Sequence, residues 1–146
     1  MSELLGLQSI DSVKALEDHL FDLQQVNLGT SLLIHGKMCA RTIMIPAGTV
    51  LTGAQTNIDN ICVMFGDVTV TTADGVRRLT GFNVLPAVAG FKRACIAHAD
   101  TYWTTLHHTE LADVAEIERE MTDETDLLQT TRFAIAEQRM ATLEAK

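Results

Sequence analysis

The spacing of apolar residues divides the 146-residue chain into a helical start, a middle of short strands and a helical end. Over residues 9–26 the apolar positions recur at steps of three and four, which is the period of one helix face. These positions are Val13, Leu16, Leu20 and Leu23. Gly29 follows, as glycine commonly does just past a helix end. The pattern therefore predicts an N-terminal helix with one apolar face.

The middle of the chain consists of short β-rich runs separated by turn residues. The predicted strands are 38–45, 49–52, 60–65, 67–72, 76–79, 82–85, 91–97 and 102–107. Val68 to Thr71 alternate between apolar and polar, as in a half-buried strand, and Asp74-Gly75 fits a two-residue hairpin turn. Many short strands at this spacing are typical of a β-sandwich or a closed barrel.

The end of the chain returns to a helical period. Leu111, Val114, Ile117 and Met121 form one apolar stripe, and Phe133, Ala136, Met140 and Leu143 form a second. Thr122 can cap the second helix, with acidic residues in its first turn. Residues 110–126 hold eight acids and one base, so the outer face of this tail is either solvated or docked on a partner. We therefore divide the chain into an N-terminal helical arm (1–34), a β-barrel (35–109) and an acidic helical tail (110–146).

Composition and charge exclude several classes of protein. The chain is 47% apolar and 21% charged, which is typical of a globular protein and not of a disordered one. A net charge of −8 argues against nucleic-acid binding, and the basic pairs Arg77-Arg78 and Lys92-Arg93 are interpreted as solvated strand and loop ends rather than a phosphate site. No apolar run approaches the ~18 residues of a membrane span. Glu3 stands where a signal peptide carries positive charge, so we expect neither export by that route nor a membrane partner.

The cysteines are few and far apart. Cys39, Cys62 and Cys95 lie in apolar surroundings without CxxC spacing, which argues against a disulfide framework or a zinc knuckle. We predict buried thiols. The alternative is a free thiol that pairs with another subunit.

The histidines give no local catalytic or metal-binding motif. The chain has no HxH, HExxH, GxSxG or GxGxxG pattern. His107 and His108 are adjacent, so on a strand they point to opposite faces. His35, His98 and His107 could meet in a barrel mouth as metal ligands, although isolated histidines with a structural role are the simpler interpretation.

Several segments of the middle region, taken in order, resemble small cupin-like proteins encoded by tailed bacteriophages. Residues 41–53 look like the opening strands of that family, and 66–70 resemble its hairpin after the first cupin motif. Residues 74–79, 90–94 and 100–107 are similar to its later turns and strands. The likeness covers residues 35–120. It implies a mainly β protein, a cupin-like antiparallel jelly-roll barrel with an N-terminal helix and a C-terminal helical tail.

The resemblance also implies a metal site, and here the sequence departs from the family. Cupins often hold a divalent metal through HxH and Glu in the first motif and His in the second. Ala54 and Thr56 stand about where the two histidines would be, and Asp59 is the one carboxylate of that segment. Alanine offers no ligand atom, and a single carboxylate holds a divalent ion only weakly. We therefore expect no metal, no cofactor and no catalytic residue at this degenerate site.

These observations favour a non-catalytic structural component of a tailed bacteriophage particle, such as a neck or collar protein or a head or tail decoration. We expect a homo-oligomer that meets other phage structural proteins in the virion, after assembly in the host cytoplasm. Tyr102 and Trp103 are adjacent on a strand, so one aromatic side chain must point out of the barrel and can join an interface. The candidate interface residues are Val13, Leu16, Leu20, Leu23, Tyr102, Phe133 and Met140.

Two other functions stay open at this point. The first is a cupin enzyme that acts on a small molecule such as a sugar, with His98, His107, Asp59 and Arg93 as candidate residues and the barrel mouth as its pocket. The second is a host-directed binding module, whose acidic surface would meet a basic partner.

Overall fold

The computed structural model describes residues 10–21, 28–125 and 128. The elements in chain order are α1 (Ile10–Phe21), β1 (Thr30–His35), β2 (Met38–Ile45), β3 (Val50–Thr52), β4 (Asn60–Thr72), β5 (Gly75–Ala87), β6 (Ala94–Ala97), β7 (Thr101–His108) and α2 (Val114–Met121). Within these residues, neither helix is long and apolar enough to cross a membrane.

All described strands belong to one antiparallel sheet that curls into a half-barrel. The strand order is β1-β2-β7-β4-β6-β3, with β5 beside β4. Strand β4 is long: residues 61–65 pair with β7, residues 68–70 pair with β6, and β5 follows it along its whole length. This arrangement confirms the predicted mainly antiparallel β architecture, with a helix before it and a helix after it.

The change of partner along β4 occurs at Gly66, between the residues that pair with β7 and those that pair with β6. The φ of Gly66 is 153°, and an added Cβ would lie 2.7 Å from Cβ and 2.8 Å from Cα of Thr101. Glycine therefore allows β4 and β7 to approach closely here. The prediction of separate strands at 60–65 and 67–72 is wrong, because the pairing with β5 continues through Gly66 and both runs form one strand.

Other strand boundaries also differ from the sequence prediction. The runs 76–79 and 82–85 are one strand, β5, because it pairs with β4 without a break. The β4–β5 hairpin exists, but its two turn residues are Ala73 and Asp74, and Gly75 with φ 115° opens β5. The predicted strand 91–97 begins only at Ala94.

Strand β1 was not predicted, and it brings the start of the sheet to Thr30, inside the stretch assigned to the arm. It is an edge strand that pairs only with β2 in the described sheet. Its alternation is weak because Leu32, Leu33 and Ile34 are consecutive apolar residues. No side chain of this edge strand is fully buried, so its sequence does not need strict alternation of apolar and polar residues.

Helix α1 packs on the barrel of its own chain. Val13 is fully buried against Ala94, and Leu16, Val76 and Ile96 pack around this pair. These contacts explain the apolar stripe of the helix, because burying apolar area is the main favourable contribution to folding. Leu20 is half-buried, and Leu23 lies outside the described residues.

Helix α2 begins later than the pattern predicts. Asp113 is its N-cap and accepts a hydrogen bond from the backbone N–H of Glu116 at 3.1 Å, so the helix begins at Val114. Ile117 and Met121 are buried, which confirms these two members of the apolar stripe, whereas Val114 at the start of the helix is 39% exposed. The predicted interface residues Phe133 and Met140 lie outside the described part of the chain.

Candidate functional site

The inner face of the half-barrel encloses a cavity of about 160 Å³. Strands β2, β3, β4, β6 and β7 supply most of its wall, and Met121 of α2 and Leu128 also line it. The apolar part of the wall includes Ile43, Leu51 and Trp103. A closed apolar cavity of roughly 150 Å³ is large enough to hold benzene. The barrel therefore has room for a ligand of about that size.

The charged groups on the cavity wall are all basic. Arg41 and Arg93 line it, and no Asp, Glu or His does so among the described residues. The other polar side chains on the wall are neutral, as in Asn60, Thr52 and Thr105. The cavity therefore has a positive electrostatic character although the chain carries a net charge of −8.

Arg41 is the more buried of the two arginines. It sits on β2, opposite Thr105 of β7, with a side chain that is only 9% exposed. Its Nη2 lies 3.6 Å from Oε2 of Glu118, beyond hydrogen-bond distance. Its Nε and Nη1 atoms have no hydrogen-bond partner in the described part of the chain. A buried donor left without a partner costs about 1–3 kcal/mol, so this guanidinium is ready to bind an acceptor.

Arg93 is half-buried and weakly held. Its Nη2 donates a long hydrogen bond of 3.4 Å to the carbonyl oxygen of Pro86. Its guanidinium carbon lies 5.4 Å from the centroid of the Phe91 ring, within the range of a cation–π contact. Arg93 therefore provides a second positive charge at the wall of the cavity.

Lys92 is fully buried, so the interpretation of Lys92-Arg93 as a solvated loop end is wrong for Lys92. Its side chain has 0% exposure. Its Nζ donates to the carbonyl oxygen of Gly53 at 2.9 Å and lies 3.1 Å from Oε2 of Glu17 and 3.0 Å from Oε1 of Glu124. A lysine is buried in this way only where its charge is paired. We call Lys92, Glu17 and Glu124 the buried ion cluster.

The buried ion cluster joins the two ends of the described chain to the barrel. Glu17 belongs to α1 and also accepts a hydrogen bond from Oγ1 of Thr52 at 2.9 Å. Glu124 follows α2 and accepts the backbone N–H of Gln55 at 2.7 Å. Sequence reasoning missed this cluster. The available signal was Glu17 itself, a charged residue four positions after Val13 on the apolar face of α1.

The degenerate first motif lies beside this cluster and serves as structure. Ala54 lines the cavity, and Oγ1 of Thr56 accepts a hydrogen bond of 3.5 Å from Nδ2 of Asn60. Oδ1 of Asp59 accepts the backbone N–H of Ala89 at 2.8 Å. No group of three His, Cys, Asp or Glu side chains that could hold a metal comes together in the described ranges. These residues do not fit the divalent metal that the resemblance implies.

The structure does not bring His35, His98 and His107 together. His35 is exposed at the end of β1, and Nε2 of the exposed His98 lies 2.7 Å from Oγ1 of Thr69. His107 is buried on β7, where burial lowers the pKa of its imidazole. His35 lies on β1 and His107 on β7, while His98 follows the end of β6, and patterns within a single segment do not reveal this separation. The enzyme candidates His98, His107, Asp59 and Arg93 are likewise dispersed.

The three cysteines are free and buried, which confirms the prediction of buried thiols. Burial raises the pKa of Cys39 and Cys62, and it raises the pKa of Cys95 to about 12. Nucleophilic attack needs the thiolate, so none of these side chains is an activated nucleophile at neutral pH.

The raised pKa of Cys95 predicts a loss of stability in alkali. Above about pH 9 the thiol ionises in the unfolded chain but stays protonated in the fold, so unfolding becomes more favourable as pH rises towards about 12. We expect the free energy of unfolding to fall by about 1 kcal/mol more in the natural protein than in Cys95→Ala between pH 8 and pH 10. Urea unfolding at both pH values measures this difference. An equal fall in the free energy of unfolding in both proteins would contradict the prediction.

No family model matches the sequence, and no curated protein matches it. The fold matches the cupin domain of an XRE-family transcriptional regulator from Enterobacter cloacae, with 10% identity, a TM-score of 0.47, and 58% of this chain and 100% of that chain covered. It also matches KdgF from Halomonas sp., with 18% identity, a TM-score of 0.50, and 60% and 84% covered. The chain has a cupin-like jelly-roll fold.

The cupin fold confirms the jelly-roll class that the resemblance implied. A third match, the cupin domain of Cnp3 from Schizosaccharomyces pombe, has 21% identity, a TM-score of 0.46, and 65% of this chain and 72% of that chain covered. These identities are low, and a fold by itself does not fix a function. The function of this cupin therefore has to be argued from its own surfaces and cavity.

Proposed function

We propose that this cupin is a non-catalytic structural component of a tailed bacteriophage particle and that its copies associate through the outside of the sheet. The phage assignment is supported by the resemblance of residues 41–53 and the later segments to phage cupins. The association is supported by one observation, an exposed apolar surface on strands β4, β5 and β7.

This surface, which we call the outer face, lies on the side of the sheet opposite the cavity. Its members are Ile61, Val63 and Phe65 on β4, Phe82, Val84 and Pro86 on β5, and Tyr102, Thr104 and Leu106 on β7. Phe65 stands beside Phe82 on one side and Tyr102 on the other. The exposed fractions of these three side chains are 61%, 67% and 57%. The outer face carries no charged side chain.

The outer face supplies a large part of the apolar area that a stable interface needs. A standard interface buries about 800 Å² on each partner. An aromatic side chain offers about 150–250 Å², so three that are about 60% exposed contribute roughly 350 Å². Ile61 and Val84, which are 49% and 56% exposed, add to this. An apolar patch of a few hundred Å² on a monomer is commonly an interaction site.

The occupant that fits the outer face is a second copy of this chain. Two copies that each carry a net charge of −8 repel one another wherever their acidic surfaces meet. An uncharged apolar face avoids that repulsion, and a two-fold axis lets the same patch serve on both subunits. A basic partner would instead be drawn to the acidic surfaces.

The cavity supports a non-catalytic role. Its described wall has no carboxylate or imidazole to act as a general acid or base. Its two thiols, Cys62 and Cys95, have raised pKa values and stay protonated at neutral pH. The groups that catalysis by acid, base or nucleophile requires are thus missing from the described wall.

We expect Phe82→Asp to dissociate the oligomer, because it places a buried, unpaired charge within the apolar outer face. Loss of an interface residue that contributes strongly to binding costs at least about 2 kcal/mol, which corresponds to about 30-fold weaker association. Light scattering coupled to size exclusion, over a range of concentrations, measures the change. Val114→Asp is the matched control, since Val114 is 39% exposed on α2 and away from the sheet. A natural protein that stays monomeric, or an unchanged Phe82→Asp oligomer, would contradict the proposed association.

The phage assignment has its own test. Quantitative mass spectrometry of purified particles from the phage that carries the gene should find the chain in a fixed, multiple copy number per particle. A chain that is abundant in infected cells but missing from the particles would refute the structural role. It would direct attention to the host-directed alternative.

A further inference from the structure

We propose that the barrel cavity binds a small apolar carboxylate, with the guanidinium of Arg41 holding the carboxylate group. The site is distinct from the outer face and does not depend on the association of subunits. Three observations carry the proposal: the charge of the wall, the unpartnered atoms of Arg41, and the volume and apolar character of the remaining space.

The charge of the wall selects an anion. Arg41 and Arg93 both line the cavity, and the described wall contains no acidic side chain. The carboxylate of Glu118 lies behind the wall, 3.6 Å from one nitrogen of Arg41, and leaves Nε and Nη1 of Arg41 without hydrogen-bond partners among the described residues. A charge–charge attraction is stronger in such a protein interior than in water, because the effective dielectric constant is lower. A cationic ligand would be repelled by both guanidinium groups, and a ligand without an acceptor group would leave Nε and Nη1 of Arg41 without partners.

The position of Arg41 marks where the anionic group would bind. Its side chain is 9% exposed and lines the cavity, and Nε and Nη1 lack hydrogen-bond partners among the described residues. Thr105 stands opposite Arg41, and Cys62 stands opposite Thr105, so the three form one row across β2, β7 and β4. The guanidinium can donate to a carboxylate, and the Thr105 hydroxyl lies in the same row to add a second donor.

The rest of the cavity selects a compact apolar body. Ile43, Leu51, Val70 and Trp103 line it, and the volume is about 160 Å³. That space accommodates one six-membered ring or a short branched chain, by comparison with the benzene-sized cavity described above. A sugar of similar size would expose several hydroxyl groups to these apolar side chains without partners. The geometry therefore favours a monocarboxylic acid such as benzoate or a branched short-chain acid.

Calorimetry and NMR titration with benzoate and isovalerate test the proposal. Benzamide is the matched neutral ligand, and inorganic phosphate is the matched anion without an apolar body. We expect at least one of the two carboxylates to bind at least tenfold more tightly than benzamide or phosphate, and to shift resonances of cavity residues. Failure of both carboxylates to bind at millimolar concentration would mean that water alone fills the cavity, and would overturn the proposal.

Variants distinguish the role of Arg41 from a general effect on folding. Arg41→Met should weaken carboxylate binding at least tenfold, whereas Arg78→Met, which removes an exposed guanidinium paired with Asp67, should leave it unchanged. Thr105→Leu keeps Arg41 and fills the cavity, so it should block benzoate and benzamide alike. Circular dichroism and thermal melting check that each variant folds. Equal affinity in Arg41→Met and the natural protein, or equal affinity for benzoate and benzamide, would refute the assignment.

Discussion

Replacing Lys92 with methionine should lower the free energy of unfolding by about 3–5 kcal/mol, the usual cost of removing one partner from a buried ion pair. Methionine is similar in length and fills the same space, so the loss comes from charge and not from a void. Glu17 is 4% exposed, so its carboxylate would stay buried without the ammonium group, and the Thr52 hydroxyl would still donate a hydrogen bond to it. Glu124 would lose its bond to the ammonium group in the same variant.

Urea unfolding measures this effect, and two further variants identify its cause. Lys37→Met is the control, because Lys37 forms an exposed pair with Glu110 and such pairs contribute little to stability. Adding Glu17→Gln and Glu124→Gln to Lys92→Met should recover part of the loss, since it removes the uncompensated charges. If Lys92→Met unfolds at the same urea concentration as Lys37→Met, the buried ion cluster does not stabilise the fold.

The second large effect is expected at Gly66. Gly66→Ala should destabilise the protein by about 2–6 kcal/mol, because it combines a backbone conformation that suits only glycine with a steric clash. The new Cβ would come within 2.8 Å of the Cα of Thr101, a backbone atom of β7. Thr101 is completely buried and has no room to move away. Relief of the clash would move β4 away from β7 at the end of their paired segment.

Gly53→Ala is the matched control for Gly66→Ala. A Cβ at Gly53 would meet no atom within 4 Å, and its φ lies outside the left-handed region. We expect this variant to melt close to the natural protein, while Gly66→Ala melts far lower or accumulates in insoluble form. Similar melting temperatures for both variants would show that β4 and β7 tolerate a wider separation than the structure indicates.

The sequence by itself determined the features that depend on neighbouring residues. β-rich runs between turn residues predicted β2 and β7, and the adjacency of Tyr102 and Trp103 correctly required one side chain to point outwards. Helical spacing identified the buried residues Val13 and Ile117. These predictions succeed because side-chain direction has a fixed period in a strand or a helix, so a local pattern already specifies which face is buried.

Tertiary structure alone decided the features that depend on residues far apart in the chain. The burial of Lys92 needs Glu17 from one end and Glu124 from the other, and no local pattern around Lys92 reveals them. Likewise, Arg41 faces a cavity only because β7 and β4 bring Thr105 and Cys62 beside it. The charge and shape of a site are set by which strands become neighbours when the sheet curls. Which strands become neighbours depends on packing over the whole chain. The period of apolar residues therefore indicates which side of a strand faces inwards, whereas only the fold determines which side chains surround the cavity.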